Sequence, residues 1–377
     1  MLEKALSLRK GKFRNRMNGI INVYKEKGYT SHDVVARLRG ITGERHIGHT
    51  GTLDPAATGV LPMCLGSATK ACELLTDKGK CYETVLMLGI ETDTEDATGN
   101  LTNSGDVSNI TDEMIIEAVN SFKGEISQVP PVFSATRING QRSYDLARKG
   151  ITVDRNAKTV CINEITIISE IQRGKLKNKK DFKAFEEALL ERFPEDEESE
   201  DGRWRWENNV LYSEENLDID VIRVAIRIDC EKGTYIRTIC SDIGRKLGCG
   251  GCMERLLRTR SGEFRVEDTY RLSDLEKIFC PKDSEADEKE IEKVLLSADK
   301  CFMEFPPLHI KEKYEDVLMN GNLLWMRHFK EYIDIPDRIN RVYNSKNEFI
   351  ALYEWIEKRK LYKPLKVFGT MRSSFEE

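Results

Sequence analysis

Apolar and polar positions recur along this chain with spacings that mark out its elements. GIINVY (19–24) is nearly all apolar and reads as a strand. SHDVVARLRG (31–40) places Val34, Val35 and Leu38 together behind a serine cap and before Gly40, which predicts a short helix. HIGHTGTLDPAATG (46–59) is dense in glycine, threonine and proline and reads as a loop. CYETVLMLG (81–89) alternates like a strand, and TDEMIIEAVNSF (111–122) has the period of an amphipathic helix. The prolines of QVPPVFSATRING (128–140) keep that segment extended. IDVIRVAIRID (219–229) sets Ile222, Val224, Ile226 and Ile228 on one face and Arg223 and Arg227 on the other, a half-buried strand with a basic outer face. In IRTICSDIGRKLG (236–248), Ile236, Ile239, Cys240, Ile243 and Leu247 form one helical stripe that Gly248 ends. Arg237 stands off that stripe, in the first turn.

Residues 1–17 form a basic arm. From about 172 to 217 the chain carries an insertion, lysine-rich at first and then acidic through PEDEESED; the acidic part has too little apolar surface to order itself. Beyond about 290 the pattern changes to FPPLHI, an NGN turn (320–322), FIALYEW and KPLKVF, a small separate β-rich domain. The expected division is therefore 1–17, a main domain at 18–285 containing the insertion, and a second domain at 290–377.

Composition narrows the class. The 377 residues are 40% hydrophobic and 33% charged, ordinary for a globular protein. No run approaches the roughly 18 apolar residues of a membrane span. The basic N-terminus lacks an apolar core, so no secretory signal is read and a cytoplasmic location is expected. The ten cysteines are then expected to stay reduced. Cys249 and Cys252 make a C-x-x-C without a second close pair, which favours turn or core thiols over zinc. A net charge of −5 argues mildly against a nucleic-acid partner, but Arg223–Arg265 holds ten Lys/Arg against five Asp/Glu, and phosphates feel the local field.

The densest chemical signal is GHTGTLDPAATGVLP (48–62), where glycines and threonines surround one carboxylate, Asp54. An isolated LDP would more often be a turn in which the aspartate caps backbone amides. No GK[ST] follows, so this is not a phosphate loop. TDTEDATG (92–99) fails calcium-loop spacing, because Gly99 falls one place late and Ala97 occupies a ligand position; it reads as a turn.

GHTGTLDPAATGVLP resembles the active-site motif of the TruB-type tRNA pseudouridine synthases. Four further segments resemble that family in the same order: GIINVYKEKGYTSHDVV (19–35), KCYETVLMLGIETDTEDATG (80–99), QVPPVFSATRINGQRSYDLARKG (128–150) and CEKGTYIRTICSDIGRKLGCGG (230–251). The tail resembles the small RNA-binding PUA domain. The resemblance implies an α+β fold: a mixed, mainly antiparallel central sheet with flanking helices, the pseudouridine synthase fold, followed by a β-rich PUA-like domain. It implies isomerisation of the T-loop uridine of tRNA, position 55 in tRNA numbering, with no cofactor and no metal.

The same resemblance makes Asp54 the catalytic carboxylate, attacking the sugar or removing its C2′ proton. Arg237 becomes its cationic partner, since a guanidinium stays charged when desolvated. Tyr82 becomes the residue that stacks on the base and moves the C5 proton. His49, Gly51 and Thr52 fall to RNA contact in the active-site loop, Tyr235 and Leu256 to the base pocket, and Lys25 to phosphate contact or bracing of the loop. Glu26 stands where the family usually has proline. The expected partner is the tRNA T-arm, with no membrane and no obligatory protein partner, and a monomer. The alternatives are the catalytic subunit of an RNA-guided pseudouridylation complex and an RNA-binding or chaperone module.

Overall fold

The computed structural model describes residues 17–134, 137–138, 141–142, 155–176, 181–192, 218–281, 286–331 and 336–369. The basic arm, the acidic part of the insertion and much of the segment 128–150 lie outside the described residues.

The first sheet is built from β1 (Gly19–Lys25), β2 (Ile47–His49), β3 (Thr58–Leu65), β4 (Lys80–Leu88), β7 (Gly124–Gln128), β10 (Lys158–Ile167), β11 (Gln172–Lys175), β12 (Asp220–Cys230), β13 (Gly251–Ser261) and β14 (Phe264–Arg265). Between these lie two small ribbons, β5–β6 (Ile90–Thr92, Leu101–Ser104) and β8–β9 (Arg137–Ile138, Gln141–Arg142). The main order is β1-β3-β13-β4-β12-β10-β7, with β2, β14 and β11 attached at β3, β13 and β12. All neighbours are antiparallel except β13 beside β3. Such a sheet is mixed and mainly antiparallel, as the motif resemblance implied.

Register decides what each face does. Tyr82, Leu86 and Leu88 of β4 and Ile222, Val224, Ile226 and Ile228 of β12 point into one core, which the helix Ile236–Leu247 and the helix Asp112–Asn120 cover. The alternate residues, Val85 and Met87 of β4 and Val221 and Ala225 of β12, face a second core on the other side. That side was expected to be a basic outer face. It is instead covered: Phe182 and Phe185, at the head of the helix Lys183–Arg192, pack there. Arg223 is accordingly buried, with its guanidinium 4.1 Å from the centre of the Phe182 ring and 2.8 Å from Glu254. A strand pattern cannot reveal a cover contributed from elsewhere in the chain.

The predicted helix at 31–40 runs longer, from Ser31 to Thr42. Its cap is Thr30 rather than Ser31, in a reciprocal pair with Asp33, and it closes at Gly43 in the left-handed region rather than at Gly40. The predicted loop 46–59 is also shorter, because Ile47–His49 and the stretch from Thr58 pair within the sheet. The helices Asp112–Asn120 and Ile236–Leu247 match their predicted spans closely, the latter with Gly248 at φ 75°.

A second, four-stranded sheet follows in the order β15-β16-β17-β18, formed by Pro307–His309, Ile339–Tyr343, Phe349–Ile356 and Leu361–Val367. It has its own core around Ile310, Leu318, Tyr353 and Tyr362. The helix Glu288–Val294 belongs with the first body, since Ile291 and Val294 pack against Ile21, Leu38 and Leu275. Leu352 and Phe368 join Ile20, Val60, Cys301 and Phe302 in a core shared by the two sheets.

Candidate active site

Asp54 sits between β2 and β3, on a loop fixed at several points. Ser31 bonds both backbone groups of Leu53, with the Leu53 amide 3.0 Å from the serine hydroxyl. The Pro55 carbonyl accepts from Gly28 N at 2.9 Å and from Lys25 Nζ at 3.2 Å. Ala57 N closes a turn onto the Asp54 carbonyl at 3.1 Å. Lys25 is fully buried and also donates to the Glu26 carbonyl. It braces the loop. The sequence had left phosphate contact as the other option, and complete burial argues against it.

Arg237 projects from the first turn of its helix toward this loop. Its Nε lies 3.0 Å from Asp54 Oδ2. Its other nitrogens donate to the carbonyls of Thr94 and Phe133, each at 3.0 Å, and Asp96 stands 3.7 Å away. The TDTEDATG segment therefore does more than turn. Asp96 gathers Thr94, the Thr98 amide and the Thr98 hydroxyl on one oxygen, and so shapes the wall that receives Arg237. Burial pushes the Asp54 carboxyl above the ordinary range; Arg237 and Lys25 oppose the rise, and Asp96 adds to it. The side chain keeps 39% exposure at the mouth of the cleft, so water tempers the burial cost.

Tyr82 lies on the same face of the sheet, in one apolar cluster with Leu53 and Leu256. It is 9% exposed, and burial raises its hydroxyl above the ordinary pKa. Leu53, which precedes Asp54, thus joins the Tyr82 ring and Leu256 in an apolar cluster next to the carboxylate–guanidinium pair. That combination suits a flat base against the lining and a sugar against the charge.

The remaining predicted residues divide. Gly51, at φ 118°, adopts a backbone conformation open to glycine and directs its carbonyl to the guanidinium of Arg258. His49 is half-buried, edge-on to His32 with ring centroids 6.1 Å apart, and its pKa is lowered by burial first and by His32 and Arg258 next. Thr52 is exposed beside Asp54. Tyr235 caps the helix that carries Arg237, its amide and carbonyl both held by the Gln128 side chain at 2.8 and 3.0 Å. Sequence reasoning missed Arg258, Asp96, Ser31 and Gln128. Ser31, Asp96 and Gln128 lie within the segments that resemble the family and Arg258 within the basic stretch Arg223–Arg265, but no local pattern singles them out.

Cys249 and Cys252 are buried free thiols. Among the described residues no group of three or more His, Cys, Asp or Glu is placed to hold a metal, and no helix is long and apolar enough to cross a membrane.

The site thus sets a carboxylate held by a buried arginine on a mixed sheet, near a buried tyrosine. Residues 39–182 match the model described as TruB family pseudouridylate synthase (N terminal domain), and residues 237–303 match the tRNA pseudouridylate synthase B C-terminal domain. A tRNA pseudouridine synthase B of Lachnoclostridium phytofermentans is 42% identical over 356 residues, covering 93% of this chain and 100% of the relative. That of Clostridium acetobutylicum is 35% identical over 337 residues, 89% and 95% of the two chains. In fold, a chain in the crystal structure of a Cbf5–Nop10–Gar1 complex is similar, with TM-score 0.62, 24% identity, and 94% and 86% of the two chains covered. The chain belongs to the TruB family of pseudouridylate synthases.

Proposed function

We propose that this protein isomerises a uridine of tRNA to pseudouridine, at the T-loop uridine (position 55 in tRNA numbering), with Asp54 as the carboxylate that acts on the sugar. The observation that carries the reading is the Arg237–Asp54 pair at 3.0 Å, beside a core cluster that includes Tyr82, Leu53 and Leu256. The reaction breaks the N1–C1′ bond, turns the base and joins C5 to C1′. It needs no redox partner or energy source, so side chains suffice. Asp54 starts it as a nucleophile or by removing the C2′ proton, and Arg237 keeps the carboxylate ionised against the cost of burial. Extruding the target nucleotide costs a few kcal/mol, on the order known for flipped bases. The β15–β18 sheet serves as a second, PUA-like contact to the RNA, and the protein acts in the cytoplasm as a monomer.

The rival within the same chemistry is a subunit of an RNA-guided assembly. Two observations favour the free-standing enzyme. The relatives matched over 95–100% of their length are named tRNA pseudouridine synthase B, and the fold neighbour is only 24% identical.

The test is tritium release from unmodified tRNA carrying 5-tritiated uridine, with wild type and Asp54→Asn side by side. One equivalent per tRNA from wild type alone, without guide RNA, is the expected result. Asp54→Asn should lose activity by orders of magnitude while still binding tRNA. No release by wild type from tRNA, or undiminished release by the variant, would overturn the proposal.

A further inference from the structure

Arg258 is the largest fully buried side chain among the described residues, at 1% exposure. Its position on β13 is directly across from Tyr82 on β4. Nε donates to the Val60 carbonyl at 2.7 Å and Nη2 to the Gly51 carbonyl at 3.2 Å, so the guanidinium spans the two ends of the Asp54 loop. Paired positions on adjacent strands put the Arg258 and Tyr82 side chains on one face of the sheet, where the guanidinium charge acts on the phenol. Among the described residues no carboxylate pairs with it. A buried cation without a counter-ion is expensive, and a clamp for the loop would need donors but no charge. Of the groups it meets, Lys80, His49 and Tyr82, the phenol is the one whose ionised form a cation stabilises.

We propose that Arg258 is a positioning residue for the isomerisation, fixing the Tyr82 oxygen and stabilising it as the phenolate that takes the proton from uracil C5. This deepens the function proposed above and rests on Tyr82 facing the base. Once C5 has bonded to C1′, that carbon carries both the new bond and its original hydrogen, and N1 is doubly bonded to C6. The proton passes to the Tyr82 oxygen. The C–H electron pair forms C5=C6, and the N1=C6 π pair moves to N1, which takes a proton from water. Tyr82 then returns its proton to water, and nothing is consumed. A neutral phenol cannot accept the proton, and burial disfavours the phenolate; Arg258 supplies the opposing charge.

Several titratable groups surround the pair. Lys80, at the start of β4, is lowered to about 8 by burial first and then by Arg258. Cys230 on β12 is raised to about 12 by burial. Asp54 faces Tyr82 from the active-site loop, and His49 faces Arg258 from β2. Arg258→Gln removes the charge that acts on Lys80 and His49 while Arg258→Lys keeps it, so the diagnostic quantity is the difference between the two variants' rate profiles, read with the deuterium effect.

The experiment uses the full chain with Arg258→Gln, which keeps donors without charge, and Arg258→Lys, which keeps charge without the fork. Single-turnover rates at saturating enzyme are measured on tRNA with 5-protio and 5-deuterio uridine from pH 6 to 9, with thermal melts and tRNA affinities alongside. We expect Arg258→Gln to be about 10²-fold slower at pH 7. It should recover toward wild type as pH rises and show a larger deuterium effect than wild type. Arg258→Lys should stay within about tenfold with the wild-type profile. Equal, pH-independent losses in both variants with an unchanged deuterium effect would make Arg258 a loop clamp and overturn the proposal. Should the glutamine variant fail to fold, the lysine variant decides, and a loss of 10²-fold or more there overturns it. If wild type forms no pseudouridine in tRNA, the functional reading itself fails, an outcome separate from both.

Discussion

Arg237 Nε stands 3.0 Å from Asp54 Oδ2, and the rest of its guanidinium is committed to the carbonyls of Thr94 and Phe133. The pair is thus fixed from the arginine's side. Arg237 emerges from a capped helix with backbone acceptors on two flanks, so it has one orientation in which to meet the carboxylate. Substrate binding need not organise it.

Arg237→Lys should expose that dependence. An ammonium cannot reach Asp54 and both carbonyls together. Weakening the cation lets burial push the Asp54 carboxyl still higher. Because the reaction needs the carboxylate ionised, the acid limb of the pH–rate profile should move to higher pH. Activity at pH 7 should fall about 10²-fold. Single-turnover rates on tRNA across pH 5–8 check both.

Asp54→Asn should stabilise the protein while disabling it. The carboxyl's folded pKa lies above its unfolded value of 3.8, so the charged form is penalised in the folded state. That penalty is absent below pH 3.8 and complete above the folded pKa. The variant's melting temperature should therefore exceed wild type near neutrality, with the gap closing as pH falls toward 3.8. A variant that melts below wild type at pH 7 would contradict this balance.

Phe182→Ala should damage stability without touching catalysis. Phe182 is 1% exposed and lies against Arg223 on the face opposite Tyr82. Removing a buried aromatic costs about 3–5 kcal/mol. Urea unfolding should show that loss, while the rate on tRNA at 25 °C stays within about twofold, inside the spread of a change far from the chemistry.

Two glycine substitutions should act oppositely. A Cβ on Gly59, at φ 103°, would meet the Arg258 carbonyl at 2.3 Å, at the parallel junction of β3 and β13 where the Asp54 loop returns to the sheet. Gly59→Ala should destabilise the fold and abolish activity together. Gly40 is exposed inside a helix with nothing within 4 Å. Gly40→Ala should raise stability by about 0.5–1 kcal/mol with activity unchanged. Thermal melts of both variants decide.

Much of the candidate site was legible in the chain. Asp54 announced itself as the lone carboxylate of a glycine- and threonine-rich segment, and the ordered motifs attached Tyr82 and Arg237 to it. The helix carrying Arg237 was readable because its apolar stripe and terminal glycine are local features, set by spacing along one segment. The folded chain sets Arg237 on Asp54, Lys25 on the carbonyl of Pro55, and Tyr82 and Leu256 in one cluster with Leu53, meetings that no local rule could have joined.

What only the tertiary structure decided concerns contacts between distant segments. Arg223 and Arg227 alternate with isoleucines just as solvent-facing residues would, yet Arg223 is buried, because Phe182 and Glu254 arrive from other parts of the chain. The role of Arg258 depends on strand register: opposite Tyr82 and within reach of Gly51 and Val60, it is a buried charge tied to the site. Shifted by one residue it would face the other side of the sheet. Sequence determined which groups could do the chemistry; register and packing determined which of them meet.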